Sequence, residues 1–216
     1  QTCVAPDYIL CHKDVKDRLA QAICRQITAQ FGQPPLNNPD YGKIINSKHF
    51  ERILGLIDTD KVIAGGKFDA EAQRIEPTVL DNVTWDDAVM QEEIFGPVLP
   101  ILTFERFEDL YPMLSVREKP LAFYLFSENK ARIDDAVKRF PFGGGCINDT
   151  IIHLATSRMG FGGVGESGMG SYHGKRSFDT FSHEKSIVHK SSLIDLPFRY
   201  MPYATWKDAL IRMFLK

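Results

Sequence analysis

The sequence predicts an α/β fold, specifically a three-layer sandwich around a buried and mainly parallel sheet. Strand-like segments alternate along the chain with amphipathic segments that have helical spacing. The strand-like segments, of which residues 98–104 and 121–126 are the clearest, are apolar along nearly their whole length. Such strands are buried on both faces, and helices that cover both sides of a parallel sheet provide that burial.

Local signals place the individual elements. Residues 15–31 carry apolar side chains on one helical face, and Gly32 with the prolines after it ends this helix. Ser47 is expected to cap a second helix, and Asn129 or Ser127 a later one that runs to residue 140. Strands are expected at residues 8–11, 61–64, 78–80, 98–104 and 121–126 and from residue 146, with further helices at residues 107–116 and 206–215. Residues 155–174 are glycine-rich and irregular, and residues 182–191 are expected to form a late strand.

The composition is that of a globular chain without nucleic-acid or membrane features. The 216 residues are 44% hydrophobic and 25% charged, and the formal net charge of −2 gives no reason to expect nucleic acid. No apolar run approaches the roughly 20 residues that span a bilayer. The four Cys and six His lack the spacing of a zinc site, so no metal is expected. Free thiols suit a reducing compartment, and we expect the cytoplasm.

Cys3 is the cysteine whose surroundings suggest chemistry. It precedes the first expected strand and has small or polar neighbours, so a substrate can reach it. Cys11, Cys24 and Cys146 lie in apolar surroundings and are interpreted as buried small hydrophobic residues. A thiolate is a strong nucleophile, but no His or Lys adjoins Cys3, so its activation must come from elsewhere in the fold. The plainer interpretation of Cys3 is a buried residue at the start of a strand.

A second segment, residues 91–97, reads QEEIFGP. A carboxylate can accept two hydrogen bonds from a vicinal diol, which makes Glu93 a candidate ligand for a ribose. Phe95 is suited to pack against a flat ring, and Gly96 with Pro97 turns the chain abruptly into the next strand. An acidic cluster on a solvated surface is the alternative interpretation, and it is preferred for Glu92.

A third segment, residues 160–170, is dense in glycine. It contains a formal GxGxxG, but this motif marks a dinucleotide site only when it follows a strand and opens a helix. Here the glycines follow a polar loop and lead into more glycine. Residues 170–175 miss a phosphate-binding loop, because the spacing is one residue short and Arg176 replaces the required Ser or Thr. The glycines therefore indicate close backbone packing rather than a phosphate site.

The three segments, in this order and spacing, resemble the C-terminal, thiol-bearing half of NAD(P)-dependent aldehyde dehydrogenases. Residues 1–3 match the family's Gly-Gln-x-Cys motif from the Gln onward, and residues 161–170 match its Phe-Gly-Gly-Val-Gly-x-Ser-Gly-x-Gly run. Residues 172–175 and 177–183 resemble the class 3 branch in particular. The resemblance covers residues 1–189, and the tail matches only loosely.

The resemblance implies oxidation of an aldehyde to a carboxylic acid with NAD or NADP as cofactor. Cys3 would add to the aldehyde carbonyl, giving a thiohemiacetal and then a thioester that is hydrolysed. Glu93 would bind the nicotinamide ribose and Phe95 the nicotinamide ring. The residues that would border an apolar pocket for an aliphatic or aromatic aldehyde are Ile151, Leu154, Ala155, Phe161 and His173.

The resemblance also implies that the chain has two functional segments and that other parts of the enzyme lie outside it. Residues 1–181 would be the catalytic α/β domain, and residues 182–216 an oligomerisation strand and tail that join the partner subunit of a homodimer. A Rossmann-type cofactor domain, the general base and the side-chain Asn of the oxyanion hole would lie upstream, missing from this chain. The backbone N–H of Cys3 would be the oxyanion donor that remains, and the chain expressed alone is expected to be inactive.

Two other functions fit parts of the sequence. A cysteine-dependent thioesterase or acyltransferase would pair Cys3 with His153 or His173, but it leaves residues 93–97 unexplained. A non-catalytic oligomerisation module would account for residues 182–191 alone. Dependence on a nicotinamide cofactor separates the dehydrogenase from the hydrolase.

Overall fold

The computed structural model describes residues 1–215, which divide into two units. The first unit is Gln1–Thr180 and the second begins at Phe181. The domain boundary near residue 181 stays a prediction, since a compact unit need not be a functional domain.

The central sheet of the first unit has four strands. These are β1 (Ile9–His12), β2 (Val62–Ala64), β5 (Thr78–Leu80) and β6 (Val98–Phe104), in the spatial order β1-β6-β5-β2. β1, β6 and β5 run parallel, whereas β2 pairs antiparallel with β5. The α/β class is therefore confirmed, with a mixed sheet.

Two smaller sheets accompany the central one. β3 (Phe68–Asp69) and β4 (Arg74–Ile75) form an antiparallel hairpin that the sequence did not predict. β7 (Ala122–Leu125) and β8 (Gly144–Ile147) form a parallel pair. In this pair Gly145 must be glycine, because a Cβ there would lie 1.9 Å from the carbonyl oxygen of Phe123.

Six α-helices complete the described chain. They are α1 (Lys16–Phe31), α2 (Ser47–Gly55), α3 (Leu110–Ser115), α4 (Lys130–Arg139), α5 (Lys175–Thr180) and, in the second unit, α6 (Thr205–Phe214).

Apolar clusters cover both faces of the central sheet. Val79 joins a cluster that includes Ala20 of α1, whereas the next residue, Leu80, joins a cluster that includes Phe50 and Ile53 of α2. Side chains of successive strand residues point to opposite faces. The sheet is thus buried on both sides, which explains the continuous apolar runs in its strands.

The helix caps differ in part from expectation. Asn46, rather than Ser47, caps α2, and its side-chain oxygen accepts a 2.9 Å hydrogen bond from the backbone N–H of His49. Asn and Ser are nearly equal as caps, so adjacent residues of these types are not separable by propensity. Asn129 caps α4 as one of the two predicted alternatives, accepting from the backbone N–H of Arg132 at 3.1 Å.

The predicted late strand at residues 182–191 is not formed, and this stretch has no regular secondary structure. A strand is defined by its ladder of hydrogen bonds, and no described segment pairs with this stretch. In the second unit, the Lys207 ammonium instead organises the chain before α6. It donates to the carbonyl oxygens of Tyr200 at 2.7 Å and Pro202 at 2.8 Å.

Candidate active site

Cys3 lies exposed in a turn that is fixed at both ends. The turn is closed by a 2.9 Å hydrogen bond from the backbone N–H of Ala5 to the carbonyl of Thr2. Before it, the Gln1 amide donates to the carbonyl of Lys43 and accepts from the N–H of Ile45, both at 2.9 Å. The predicted accessibility of the Cys3 thiol is therefore confirmed, while its catalytic role stays a prediction.

The other three cysteines are also free thiols, and they are less accessible. Cys11 and Cys146 are buried, as their apolar surroundings indicated, whereas Cys24, predicted to be buried, is only partly so. Burial raises the pKa of the Cys11 thiol, with the Lys16 ammonium opposing the shift. Cys3 is thus the most exposed thiol of the described chain.

Tyr124 of β7 anchors the residue that follows Cys3. Its hydroxyl donates a 2.6 Å hydrogen bond to the carbonyl of the fully buried Val4. Burial raises the pKa of the Tyr124 hydroxyl, and the backbone N–H of Ile151 partly offsets this rise. The neutral hydroxyl therefore sits between the Cys3 turn and the loop that carries Ile151.

Ile151 occupies a strained position in that loop. Its φ of 64° and ψ of −36° lie in the left-handed half of conformational space, which β-branched residues rarely adopt. The backbone N–H of Ile152 bonds to the carbonyl of Thr150, closing a three-residue turn around it. Leu154 and Ala155 follow in and after a short 3₁₀ turn. Strain of this kind is concentrated at functional sites in many proteins.

His153 connects this loop to the glycine-rich segment. Its ring lies 5.9 Å from the ring of Tyr124 and 6.2 Å from that of Phe161. Its Nδ1 lies 3.5 Å from Sγ of Cys146, and its buried Nε2 has no hydrogen-bond partner among the described residues. Burial lowers the pKa of His153, so the imidazole is held neutral. The thiol that His153 contacts is therefore Cys146 and not Cys3.

Phe161 and His173 lie together, and that they line one pocket stays a prediction. Their ring centroids are 6.0 Å apart and the ring planes are inclined by 28°. Phe161 and Tyr172 exchange two backbone hydrogen bonds, of 2.8 and 2.9 Å, which hold the pair in register. Contacts thus run from the Cys3 turn through Tyr124 and His153 to this aromatic pair.

Glu93 and Phe95 are reached from the Cys3 turn in the other direction, through Asp7. One Asp7 oxygen accepts a 2.9 Å hydrogen bond from the backbone N–H of Ile94. Burial raises the pKa of the Asp7 carboxyl, with the Ile94 N–H and the Arg52 guanidinium opposing the shift. The segment that follows Cys3 is therefore tied directly to the backbone between Glu93 and Phe95.

The Glu93 and Phe95 side chains are both available to a ligand. Partial burial and the Asp7 carboxylate raise the pKa of Glu93, against the effect of Arg52, and no described residue bonds to its carboxyl. The Phe95 ring is 41% exposed on a backbone with φ of 52°. Gly96 permits this bend to pack closely, since a Cβ there would lie 2.6 Å from Ile53.

Three residues of this arrangement were not singled out from the sequence: Tyr124, Asp7 and Arg52. Tyr124 carried a usable signal, because a tyrosine in a nearly all-apolar strand needs a partner for its hydroxyl. Asp7 and Arg52 carry no local signal that distinguishes them from other charged residues of the chain. Their partners lie 87 and 42 residues away and could not be inferred from local patterns.

The described residues include neither a membrane-spanning helix nor a cluster that could hold a metal ion. None of the helices there combines the length and the apolar character needed to cross a bilayer. No group of three or more His, Cys, Asp or Glu side chains in the same part of the chain is placed to hold a metal ion.

Comparison with known proteins decides the family. The model described as Aldehyde dehydrogenase family matches residues 1–187. The chain belongs to the aldehyde dehydrogenase family. Of its relatives in this family, the 4,4'-diaponeurosporen-aldehyde dehydrogenase of Staphylococcus aureus (strain NCTC 8325 / PS 47) is 48% identical over 218 residues, which cover 100% of this chain and 47% of the relative. The dimeric NADP-preferring aldehyde dehydrogenase of Rattus norvegicus is 46% identical over 193 residues, which cover 89% of this chain and 43% of the relative.

The fold agrees with a solved aldehyde dehydrogenase. A structure described as the substrate-bound state of Staphylococcus aureus AldH matches with a TM-score of 0.90 at 47% identity, covering 100% of this chain and 47% of that chain. The chain thus spans about half the length of the relatives it matches.

Proposed function

We propose that the complete protein oxidises an aldehyde to a carboxylic acid by hydride transfer to NAD or NADP, with Cys3 as the nucleophile. One observation carries the proposal. Cys3 is an exposed thiol on an anchored turn, with direct hydrogen bonds from this segment to the backbone that carries Glu93 and to the tyrosine beside the Ile151 loop.

In the proposed reaction, Cys3 supplies both the nucleophile and a hydrogen-bond donor. The Cys3 thiolate adds to the aldehyde carbon, forming a C–S bond and leaving negative charge on the former carbonyl oxygen. The backbone N–H of Cys3 is the donor available here to that oxygen. NAD or NADP, when bound, would accept the hydride that leaves the former aldehyde carbon, so that the C–H bond breaks, the C=O bond re-forms and a thioester remains on Cys3. Water then cleaves the thioester at Cys3 and releases the acid.

Glu93 and Phe95 fit the cofactor role proposed for them. The Glu93 carboxylate has no partner among the described residues, so both of its oxygens can accept hydrogen bonds from a ribose diol. The exposed Phe95 ring offers a flat apolar surface. The rat relative is named NADP-preferring, which supports a nicotinamide cofactor without deciding between NAD and NADP for this chain.

The substrate pocket is proposed to include Ile151, Leu154, Ala155, Phe161 and His173. The contacts of His153 with Phe161 and of Phe161 with His173 support one shared pocket for these segments. Most of these side chains are apolar, so we propose that burial holds an aliphatic or aromatic aldehyde.

The position of this chain in the complete protein, its dimer partner and its cellular compartment are also proposals. We propose that this chain is the C-terminal, class 3-like half of its protein, with a three-layer fold, and that an N-terminal cofactor domain completes the site. A second copy would pair with residues 182–191, which have no sheet partner within the described chain; the rat relative is named dimeric. Four free thiols suit the cytoplasm.

A cysteine-dependent thioesterase or acyltransferase is not favoured. Such an enzyme needs a base in contact with its nucleophile. His153 contacts Cys146, and the ring of His173 contacts those of Phe161 and Tyr172. The alternative also assigns no role to Glu93 and Phe95.

The test is NAD(P)H formation by the complete protein with a medium-chain and an aromatic aldehyde. Wild type should form reduced cofactor, Cys3→Ala should form none, and Cys24→Ala should match wild type. Turnover that survives Cys3→Ala would remove Cys3 from the mechanism. Thioester cleavage without any NAD(P)H formation would replace the dehydrogenase with the hydrolase.

A further inference from the structure

Arg52 of α2 donates hydrogen bonds to the backbone of the segment that carries Glu93 and Phe95. Its Nη1 donates to the carbonyl of Glu93 at 3.2 Å, and its Nη2 donates to the carbonyl of Ile94 at 2.6 Å. The same Nη1 lies 3.4 Å from a carboxylate oxygen of Glu92. A planar guanidinium can engage two acceptors at once in a fixed geometry, which an ammonium cannot.

Asp7 binds the same peptide backbone from the segment that follows Cys3. It accepts from the N–H of Ile94, whose carbonyl is bound by Arg52. Both backbone polar groups of Ile94 are therefore satisfied by charged side chains. Hydrogen bonds to charged groups are roughly twice as strong as those between neutral groups.

These bonds replace secondary structure at this point. Residues 91–97 form neither a helix nor a strand, yet Ile94 is 1% exposed. A buried backbone group without a ladder or helix partner must find another partner. Here the two charged side chains supply the partners, so they determine the path of the backbone on either side of Ile94.

We propose that Arg52 and Asp7 are positioning residues for the cofactor end of the reaction. By fixing Ile94, they set the directions of the Glu93 carboxylate and the Phe95 ring, while Asp7 keeps this segment in register with the Cys3 turn. Hydride transfer between two carbons is sensitive to small misplacements of the donor and the acceptor. The inference rests on the function proposed above.

The experiment uses the complete protein and three readouts. They are the Kd for NAD(P)⁺ from a direct titration, kcat and KM for aldehyde oxidation, and ester cleavage by Cys3 without cofactor. Arg52→Met should weaken cofactor binding about tenfold and leave ester cleavage within about twofold of wild type. Arg52→Lys should recover part of the loss. Lys48→Met, which removes an exposed cation from the same helix, should match wild type.

Asp7 is tested by separating its charge from its hydrogen bond. Asp7→Asn keeps an oxygen that can accept from the Ile94 N–H and should bind cofactor nearly as wild type does. Asp7→Ala should weaken cofactor binding as Arg52→Met does. If Asp7→Ala does not fold, the cofactor Kd values of Arg52→Met and Arg52→Lys, compared with wild type, still decide the matter.

The outcomes separate this inference from the proposed function. Unchanged cofactor Kd in Arg52→Met and Arg52→Lys overturns the inference. An equal loss of cofactor binding and ester cleavage also overturns it, because it indicates general destabilisation. A wild type that binds cofactor without oxidising aldehydes removes the proposed function, while the Kd comparison still tests the inference. A wild type that binds no NAD(P)⁺ overturns both.

Discussion

At the scale of single residues, the environment of Cys3 depends on hydrogen bonds between residues that are distant in sequence. Tyr124 bonds to Val4, 120 residues away, and the Gln1 side chain bonds to the backbone at Lys43 and Ile45. None of these side chains needs to touch a substrate. Each restricts where the Cys3 thiol can be, and restricting the positions of reacting groups is a large part of catalysis.

Removing the Tyr124 hydroxyl should loosen the Cys3 turn. Tyr124→Phe leaves the buried Val4 carbonyl without its donor, at a cost of about 1 kcal/mol in stability. We expect kcat for aldehyde oxidation to fall about three- to tenfold, because the thiol samples more positions. Tyr111→Phe is the matched control, since it removes a hydroxyl that bonds to Asp135. An unchanged kcat in Tyr124→Phe would show that this hydrogen bond does not position Cys3.

His153 should make stability depend on pH. Its pKa is lowered from 6.5 by burial, so the unfolded chain binds a proton at higher pH than the folded chain does. The contribution of the neutral imidazole is full above pH 6.5 and is lost as the pH falls through the lower folded pKa. Between about pH 7.5 and about pH 5.5, the urea midpoint of wild type should fall more than that of His153→Phe. Equal declines in the two proteins would contradict this assignment.

At the scale of elements, the close approach of two backbones in the β7–β8 pair determines which residue types can stand there. β7 and β8 lie side by side over four residue pairs, with Phe123 opposite Gly145. The pair brings Tyr124 next to the loop that follows β8, which carries Ile151 and His153. The geometry of the site therefore depends on this small sheet remaining intact.

Gly145→Ala should disrupt the β7–β8 pair. The added Cβ would lie 1.9 Å from the carbonyl oxygen of Phe123, so one strand must move. We expect a loss of about 3 kcal/mol or more, measured as a shift of the urea midpoint. At Gly42 a Cβ would meet no atom within 4 Å, so Gly42→Ala should change stability by less than about 0.5 kcal/mol. Similar midpoints for the two variants would disprove the packing argument.

Elements with a clear apolar pattern were predictable from sequence, including the strands β1, β2, β5, β6 and β7, whereas the shortest strands were not. α1, α4 and α6 lie close to their predicted positions, because the helical spacing of their apolar residues is visible within a short stretch of sequence. The two-residue strands β3 and β4 are too short to show a period. The predicted strand at residues 182–191 is not formed, because a strand needs a hydrogen-bonded partner and no described segment pairs with this stretch.

The candidate site was predictable to the extent that it lies in contiguous motifs. Cys3, Glu93 and Phe161 stand in segments whose residue types are distinctive. Tyr124, Asp7 and Arg52 act through hydrogen bonds to loop backbone that is distant in sequence. Such contacts depend on tertiary structure, which no local pattern encodes.

At the scale of the whole molecule, the first unit connects Cys3, the proposed nucleophile, with the segments proposed to bind the cofactor and the aldehyde. The Cys3 turn is bonded to the Glu93 segment through Asp7 and to the Ile151 loop through Tyr124. This arrangement fits covalent catalysis, in which a thiol holds the substrate while a cofactor accepts hydride from it. The activity itself is proposed for the complete protein, of which this chain supplies the thiol.

The most direct test of the account is to identify the covalent intermediate. The complete protein is mixed with an aldehyde and NAD(P)⁺, quenched in acid within the first turnovers, digested and analysed by mass spectrometry. We expect the mass of the corresponding acyl group on the peptide that contains Cys3, only when cofactor is present, and none on the peptides of Cys11, Cys24 or Cys146. An acyl group on another residue, or labelling of Cys3 that does not require cofactor, would contradict it.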